Sequence, residues 1–91
     1  IKGTHDILPT DTWRWRTLET TIHRILSRAG YQEIRTPTFE QTDLFTRSVG
    51  KETDIVTKEM YSWVDQGGDH LTLKPESTAS VVRAYLQHNL A

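Results

Sequence analysis

Between Trp15 and Ala29 the apolar residues Trp15, Leu18, Ile22, Ile25, Leu26 and Ala29 return at helical spacing, with Arg, Thr, Glu and His filling the gaps. That period puts them on one face of an α-helix. Asp11 offers a side-chain acceptor for the first free amides, and Gly30 supplies the left-handed residue on which helices commonly end. Trp13 falls off the stripe and is expected to be partly covered by the preceding arm or by a neighbouring subunit. The arm, Ile1 to Thr10, mixes Gly3, Asp6 and Pro9 with Ile7 and Leu8, which predicts an extended or turning segment.

After Gly30 the period changes. Tyr31, Ile34 and Phe39 sit among polar residues and Thr36, and Pro37 removes one backbone donor, so a strand at an edge or bend is expected there. Asp43 can cap a short helix through Leu44, Phe45 and Val49, and Gly50 to Lys58 reads as a loop. Met60 to Val64 and Leu71 to Lys74 have strand character; Asp65, Gln66, Gly67, Gly68, Asp69 and His70 between them read as a hairpin connection. Pro75 ends the second run. Ser77 or Thr78 can cap a last helix whose Val81, Val82, Tyr85 and Leu86 are spaced to pack inward. The order helix, strand, small helix, hairpin, helix is an α+β arrangement with helices covering an antiparallel sheet. The sheet is small against the usual five or six strands, and Ile1 stands where a start methionine would, so a longer parent chain is expected.

Composition sharpens this picture. Apolar residues make up 35% of the 91 positions, against roughly 45–50% in an average globular chain counted with glycine. So thin a core fits a fragment or a partner-dependent unit. Eleven Lys and Arg against twelve Asp and Glu give a formal net charge of −1, which argues against gripping nucleic acid by bulk electrostatics. The absence of cysteine removes disulfides and thiolate metal sites and fits a cytoplasmic setting. No run of apolar residues is long enough for a membrane span, and no secretory signal opens the chain. His5, His23, His70 and His88 are scattered, so no metal site is expected. No glycine-rich phosphate loop is present, since Gly67 and Gly68 lead into a strand.

The candidate chemistry lies in Leu71-Thr72-Leu73-Lys74-Pro75-Glu76-Ser77-Thr78. A strand ends in a proline bend, and Glu76 then stands at the rim of the sheet where the last helix begins. A fixed carboxylate beside the Thr78 hydroxyl suits an ammonium group, whose charge it neutralises and whose protons it accepts. The same residues would also serve a purely local purpose, with Glu76 complementing the amino end of the helix dipole and Ser77 or Thr78 capping it. The residues themselves leave both readings open.

Gly30 to Phe45, reading Gly-Tyr-Gln-Glu-Ile-Arg-Thr-Pro-Thr-Phe-Glu-Gln-Thr-Asp-Leu-Phe, resembles motif one of class II aminoacyl-tRNA synthetases, a long helix followed by a proline-bearing strand. Lys2-Gly3-Thr4-His5-Asp6-Ile7-Leu8-Pro9 is similar to the opening of histidyl-tRNA synthetases. Leu71 to Thr78 is similar to their Leu-x-Leu-Arg-Pro-Glu-Gly-Thr segment, and Ala79 and Val82-Arg83-Ala84 continue the likeness. Lys74 stands where the family often has Arg, and Ser77 where it often has Gly. The resemblance implies the N-terminal part of one class II catalytic domain, with motif one near residues 11–45 and the motif-two region starting in 71–90. By the same resemblance Glu76 and Thr78 would contact the α-amino group of the bound amino acid, while Pro37 and Phe39 would lie at a homodimer interface.

For a full-length cytoplasmic enzyme the resemblance implies activation of histidine by ATP with Mg2+ and transfer to tRNA(His). The ATP-binding arginines and the histidine-reading segment would follow Ala91, so no catalytic residue is expected within this chain and the piece alone is expected to be inactive. Two alternatives share parts of the pattern. The synthetase-like regulatory subunit of ATP phosphoribosyltransferase has the same fold but tends to carry Asp-Met-Thr where this chain has Glu76-Ser77-Thr78. A non-catalytic dimerisation module accounts for Trp15 to Ala29 but not for Pro75 to Thr78.

Overall fold

A computed structural model describes residues 1–49 and 59–91; the loop expected at Gly50 to Lys58 lies outside the described residues. The elements are α1 (Pro9–Arg28), β1 (Phe39–Gln41), α2 (Thr42–Val49), β2 (Ser62–Val64), β3 (His70–Leu73) and α3 (Thr78–Gln87). This is the order that the polarity pattern predicts. They form two compact units, Ile1–Glu33 and Ile34–Ala91.

In the first unit Leu8 is the N-cap, extended at φ −82° and ψ 162°, and Pro9 opens α1. The helix therefore starts earlier than expected, and Asp11 lies in its first turn instead of capping it. Proline suits that position because its φ is already helical and its missing N–H would have had no partner there. Asp11 still faces the positive end of the dipole. At the other end Gly30 adopts φ 88°. Its N–H donates to the Ser27 carbonyl at 3.1 Å, and that of Tyr31 to Leu26 at 3.0 Å, closing the double-bonded turn that needs a left-handed residue. Among the described residues none of α1 is buried, and Ile25 on the apolar stripe keeps 59% of its surface exposed. Trp13 is exposed as well. Its Nε1 donates to the Thr10 carbonyl at 3.0 Å, and the Arg14 guanidinium sits 5.3 Å from its ring centroid.

In the second unit the strands form one antiparallel sheet of order β1-β3-β2. β1 begins at Phe39, so Pro37 precedes the strand instead of lying within it; a residue without an N–H cannot take a place in the ladder. The hairpin between β2 and β3 is built on Asp65. Its N–H donates to the Asp69 carbonyl at 2.9 Å, while its Oδ1 accepts the Asp69 N–H at 2.8 Å. Gly68 closes the turn at φ 88°.

Strand alternation divides the sheet. Phe39, Leu71, Leu73 and Trp63 share one face by register, and the Phe39 and Trp63 rings meet edge to face across the central strand, 5.7 Å apart. Glu40, Thr72 and Ser62 share the other face, opposite one another in the ladder. α2 packs against β1, β3 and α3, and Phe45 on it is the largest buried side chain, 2% exposed. Thr42 opens α2, placing Asp43 in the first turn rather than at its start. α3 turns the small residues Ala79, Ser80 and Ala84 inward, while Val81, Val82, Tyr85 and Leu86, expected to pack inside, are exposed. Small side chains let a helix approach closely, and the bulky stripe then points elsewhere.

Candidate functional site

β3 delivers the chain to the rim of the sheet. Beyond it the Lys74 N–H donates to the Thr38 carbonyl at 3.0 Å, and its Nζ to Thr36 Oγ1 at 3.4 Å. Pro75, with no N–H to offer a ladder, turns the chain, and Glu76 emerges exposed just before α3. Its Oε2 accepts the Thr78 N–H at 2.8 Å and its Oε1 the Ala79 N–H at 3.2 Å. A hydrogen bond from the Thr78 side chain holds the carboxyl below the usual glutamate range, and the two backbone amides lower it further. Ser77 occupies the cap position in helical conformation, φ −97° and ψ −13°, and its side chain makes no cap bond. The cap expected from Ser77 or Thr78 is thus supplied by Glu76, because a glutamate one residue upstream reaches both orphan amides at once.

The carboxylate is therefore fixed and ionised, with one backbone amide on each oxygen. An ionised carboxylate offers about four acceptor sites. With the two backbone amides and the Thr78 hydroxyl bound, about one acceptor site stays open to a donor on a cation. Glu76 and Thr78 are brought together, as the sequence leads one to expect. Phe39 lies on the exposed sheet face beside Trp63, and Pro37 on the approach to β1.

Sequence reasoning missed two side-chain groups beneath this rim. Arg83 on α3 donates through Nε to Glu40 on β1 at 3.0 Å, and through Nη1 to Gln87 Oε1 at 2.7 Å. Thr72, fully buried at the centre of the sheet, joins its hydroxyl to Thr42 Oγ1 at 2.8 Å and to Ser62 Oγ at 2.7 Å. Only the alternation of β1, which turns Glu40 away from Phe39, hints at the first. An open cleft of about 590 Å³, walled by Pro37, Glu40, Asp43, Leu44, Arg47 and Arg83 among others, runs beside the ion pair; Glu76 is not part of its wall. Among the described residues no helix is long and apolar enough to cross a membrane.

The family model described as histidyl-tRNA synthetase matches residues 3–91. The histidine–tRNA ligase of Synechococcus elongatus is 56% identical over 91 residues, which is 100% of this chain and 21% of that protein. The histidine–tRNA ligase of a Synechocystis species is 58% identical over 90 residues, 99% of this chain and 20% of the relative. In three dimensions the chain is similar to the apo histidyl-tRNA synthetase of S. aureus, with a TM-score of 0.80 and 42% identity over 99% of this chain and 20% of that one. The chain thus spans about a fifth of the length of the relatives it matches. The α+β arrangement is a fragment of the class II synthetase sheet with its helices, and on the match of nearly its whole length the chain belongs to the histidyl-tRNA synthetase family.

Proposed function

We propose that this chain is the N-terminal part of the catalytic domain of a cytoplasmic histidine–tRNA ligase, and that Glu76 and Thr78 hold the α-amino group of histidine. The observation that carries the reading is the capped carboxylate: Glu76 is ionised and immobilised at the rim of the sheet, with its outer lone pairs free of backbone amides. An ammonium group donates to the acceptor site that these bonds leave open. The Thr78 hydroxyl, while donating to Glu76, accepts a further ammonium proton on its own oxygen. Charge neutralisation and positioning are the contribution of these residues.

In the whole enzyme the histidine carboxylate, so oriented, attacks the α-phosphate of ATP and releases pyrophosphate. A terminal ribose hydroxyl of tRNA(His) then attacks the carbonyl of the resulting adenylate, taking the aminoacyl group and releasing AMP. Magnesium, when bound, would supply neutralisation of phosphate charge; no residue of this chain is assigned to ATP or the metal. The motif-one likeness and the uncovered stripe of α1 support a homodimer, with Pro37 and Phe39 at or near its interface. Glu76-Ser77-Thr78, in place of the Asp-Met-Thr of the regulatory relatives, favours the ligase.

The test uses the full-length protein. Glu76→Ala should raise the KM for histidine in histidine-dependent pyrophosphate exchange by roughly tenfold to a hundredfold, as expected when a charged hydrogen-bonding partner is removed. The KM for ATP and the fold, followed by circular dichroism, should stay as in the wild type. A histidine KM within twofold of the wild type would remove the assigned role.

A further inference from the structure

The way α3 is held poses a question that apolar packing does not answer. Its buried residues are Ala79, Ser80 and Ala84, and among the described residues the Ser80 hydroxyl has no hydrogen-bond partner. Small side chains permit a close approach but form shallow ridges, so they resist sliding and rotation weakly. Glu76, bonded to the first amides of α3, moves with that helix. Something else must fix its height above the sheet.

Arg83 and Glu40 meet that need. They lie 43 residues apart in sequence, and Arg83 Nε is 3.0 Å from both carboxylate oxygens of Glu40. Their side chains are 27% and 9% exposed. Nη1 of the same planar guanidinium is committed to Gln87, which sets the direction of the fork. On the strand side Glu40 stands opposite Thr72 in the ladder, and the Thr72 hydroxyl ties α2 and β2 to the same face. A largely buried ion pair is weak evidence for stability, since desolvation offsets its attraction; what it supplies best is a fixed geometry.

We propose that Glu40 and Arg83 are positioning residues that lock α3 against β1 and so place the Glu76 carboxylate for the substrate's ammonium group. The inference rests on the reading that Glu76 receives that group. It also makes the strand assigned to the dimer interface and the helix assigned to the substrate two ends of one connection.

The experiment is pyrophosphate exchange by the full-length enzyme carrying Glu40→Gln or Arg83→Lys. Inhibition by histidinol, which keeps the ammonium group, and by imidazolepropionate, which lacks it, is measured alongside. The histidine KM and the histidinol inhibition constant should rise roughly tenfold, because misplacing a contact by a fraction of an ångström is enough for such a loss. The ATP KM and the imidazolepropionate constant should stay within twofold. Glu40→Gln is isosteric and keeps one acceptor, so it serves where Arg83→Lys does not fold. A lowered melting temperature with unchanged histidine KM, or an equal loss for the ligands with and without the ammonium, would overturn the proposal. Glu76→Ala run in parallel separates the two failures: if it leaves the histidine KM unchanged, the substrate reading is at fault; if it alone raises the KM, only the positioning role is.

Discussion

Thr72→Val removes one oxygen from the middle of the sheet and nothing else of comparable size. In the native arrangement the Thr72 hydroxyl is hydrogen-bonded to both neighbours, at 2.8 Å from Thr42 Oγ1 and 2.7 Å from Ser62 Oγ. The substitution keeps the branched shape that strands favour, so volume and propensity barely change. Two hydrogen bonds worth about 1 kcal/mol each are lost, and two part-buried hydroxyls are left to find other partners, for a total of about 2 kcal/mol. In a protein of the length of its relatives, of which this chain spans about a fifth, a local measurement is preferable to a global melt. Hydrogen–deuterium exchange of peptides covering β2 and β3 reports the opening equilibrium of this hairpin. At 1.4 kcal/mol per factor of ten, exchange there should be about thirtyfold faster than in the wild type. Thr72→Ser keeps the bonds and loses one buried methyl, at a cost of about 0.8 kcal/mol, and should speed exchange only about fourfold. If serine proves the more damaging change and valine is silent, the methyl and not the hydroxyl bridge holds the sheet, and the reasoning fails.

Two more outcomes follow from the geometry. The parent protein should sediment as a dimer at micromolar concentration, and Phe39→Asp should weaken that dimer at least tenfold, since a buried apolar side chain contributes about 1.5–3 kcal/mol; a monomeric wild type, or a dimer indifferent to the change, would contradict the interface. The depressed pKa of Glu76 means that its contribution to stability is complete above the ordinary glutamate value of about 4.3 and disappears as pH falls through the lower folded value. The melting-temperature gap between wild type and Glu76→Gln should accordingly be level from about pH 8 to 5 and close below about pH 4. A gap that changes between pH 5 and 7 would show that some other group is titrating.

The elements were largely readable because each carries a local signal. α1 is a long stripe of regular period, and the hairpin pairs Asp65 with the glycines that its turn requires. Their limits are less so: Pro9 reads as part of the arm yet is itself the first helical residue, and Pro37 reads as part of a strand that begins only at Phe39. The inner face of α3 was misread because periodicity weighs Val82 and Leu86 above Ala79 and Ala84, whereas close approach selects the small residues. The proline bend before Glu76 marks where the carboxylate emerges, and of the two purposes that the residues leave open, the local one, bonding the first amides of α3, is the one the structure shows. Glu40 with Arg83, and Thr42 with Ser62 and Thr72, could not be read in advance. Such pairs depend on register and helix placement, which no short window contains.

The carboxylate that begins α3 loses its rotational freedom when the chain folds, not when a ligand arrives. On the proposed reading, a site anchored in this way would have little side-chain disorder left to suppress on recognition, and no slow rearrangement of that residue would have to precede capture of an amine. Discrimination at this point would then depend on whether the incoming group has a proton and a positive charge to offer the remaining acceptor, a test of chemistry before it is a test of shape.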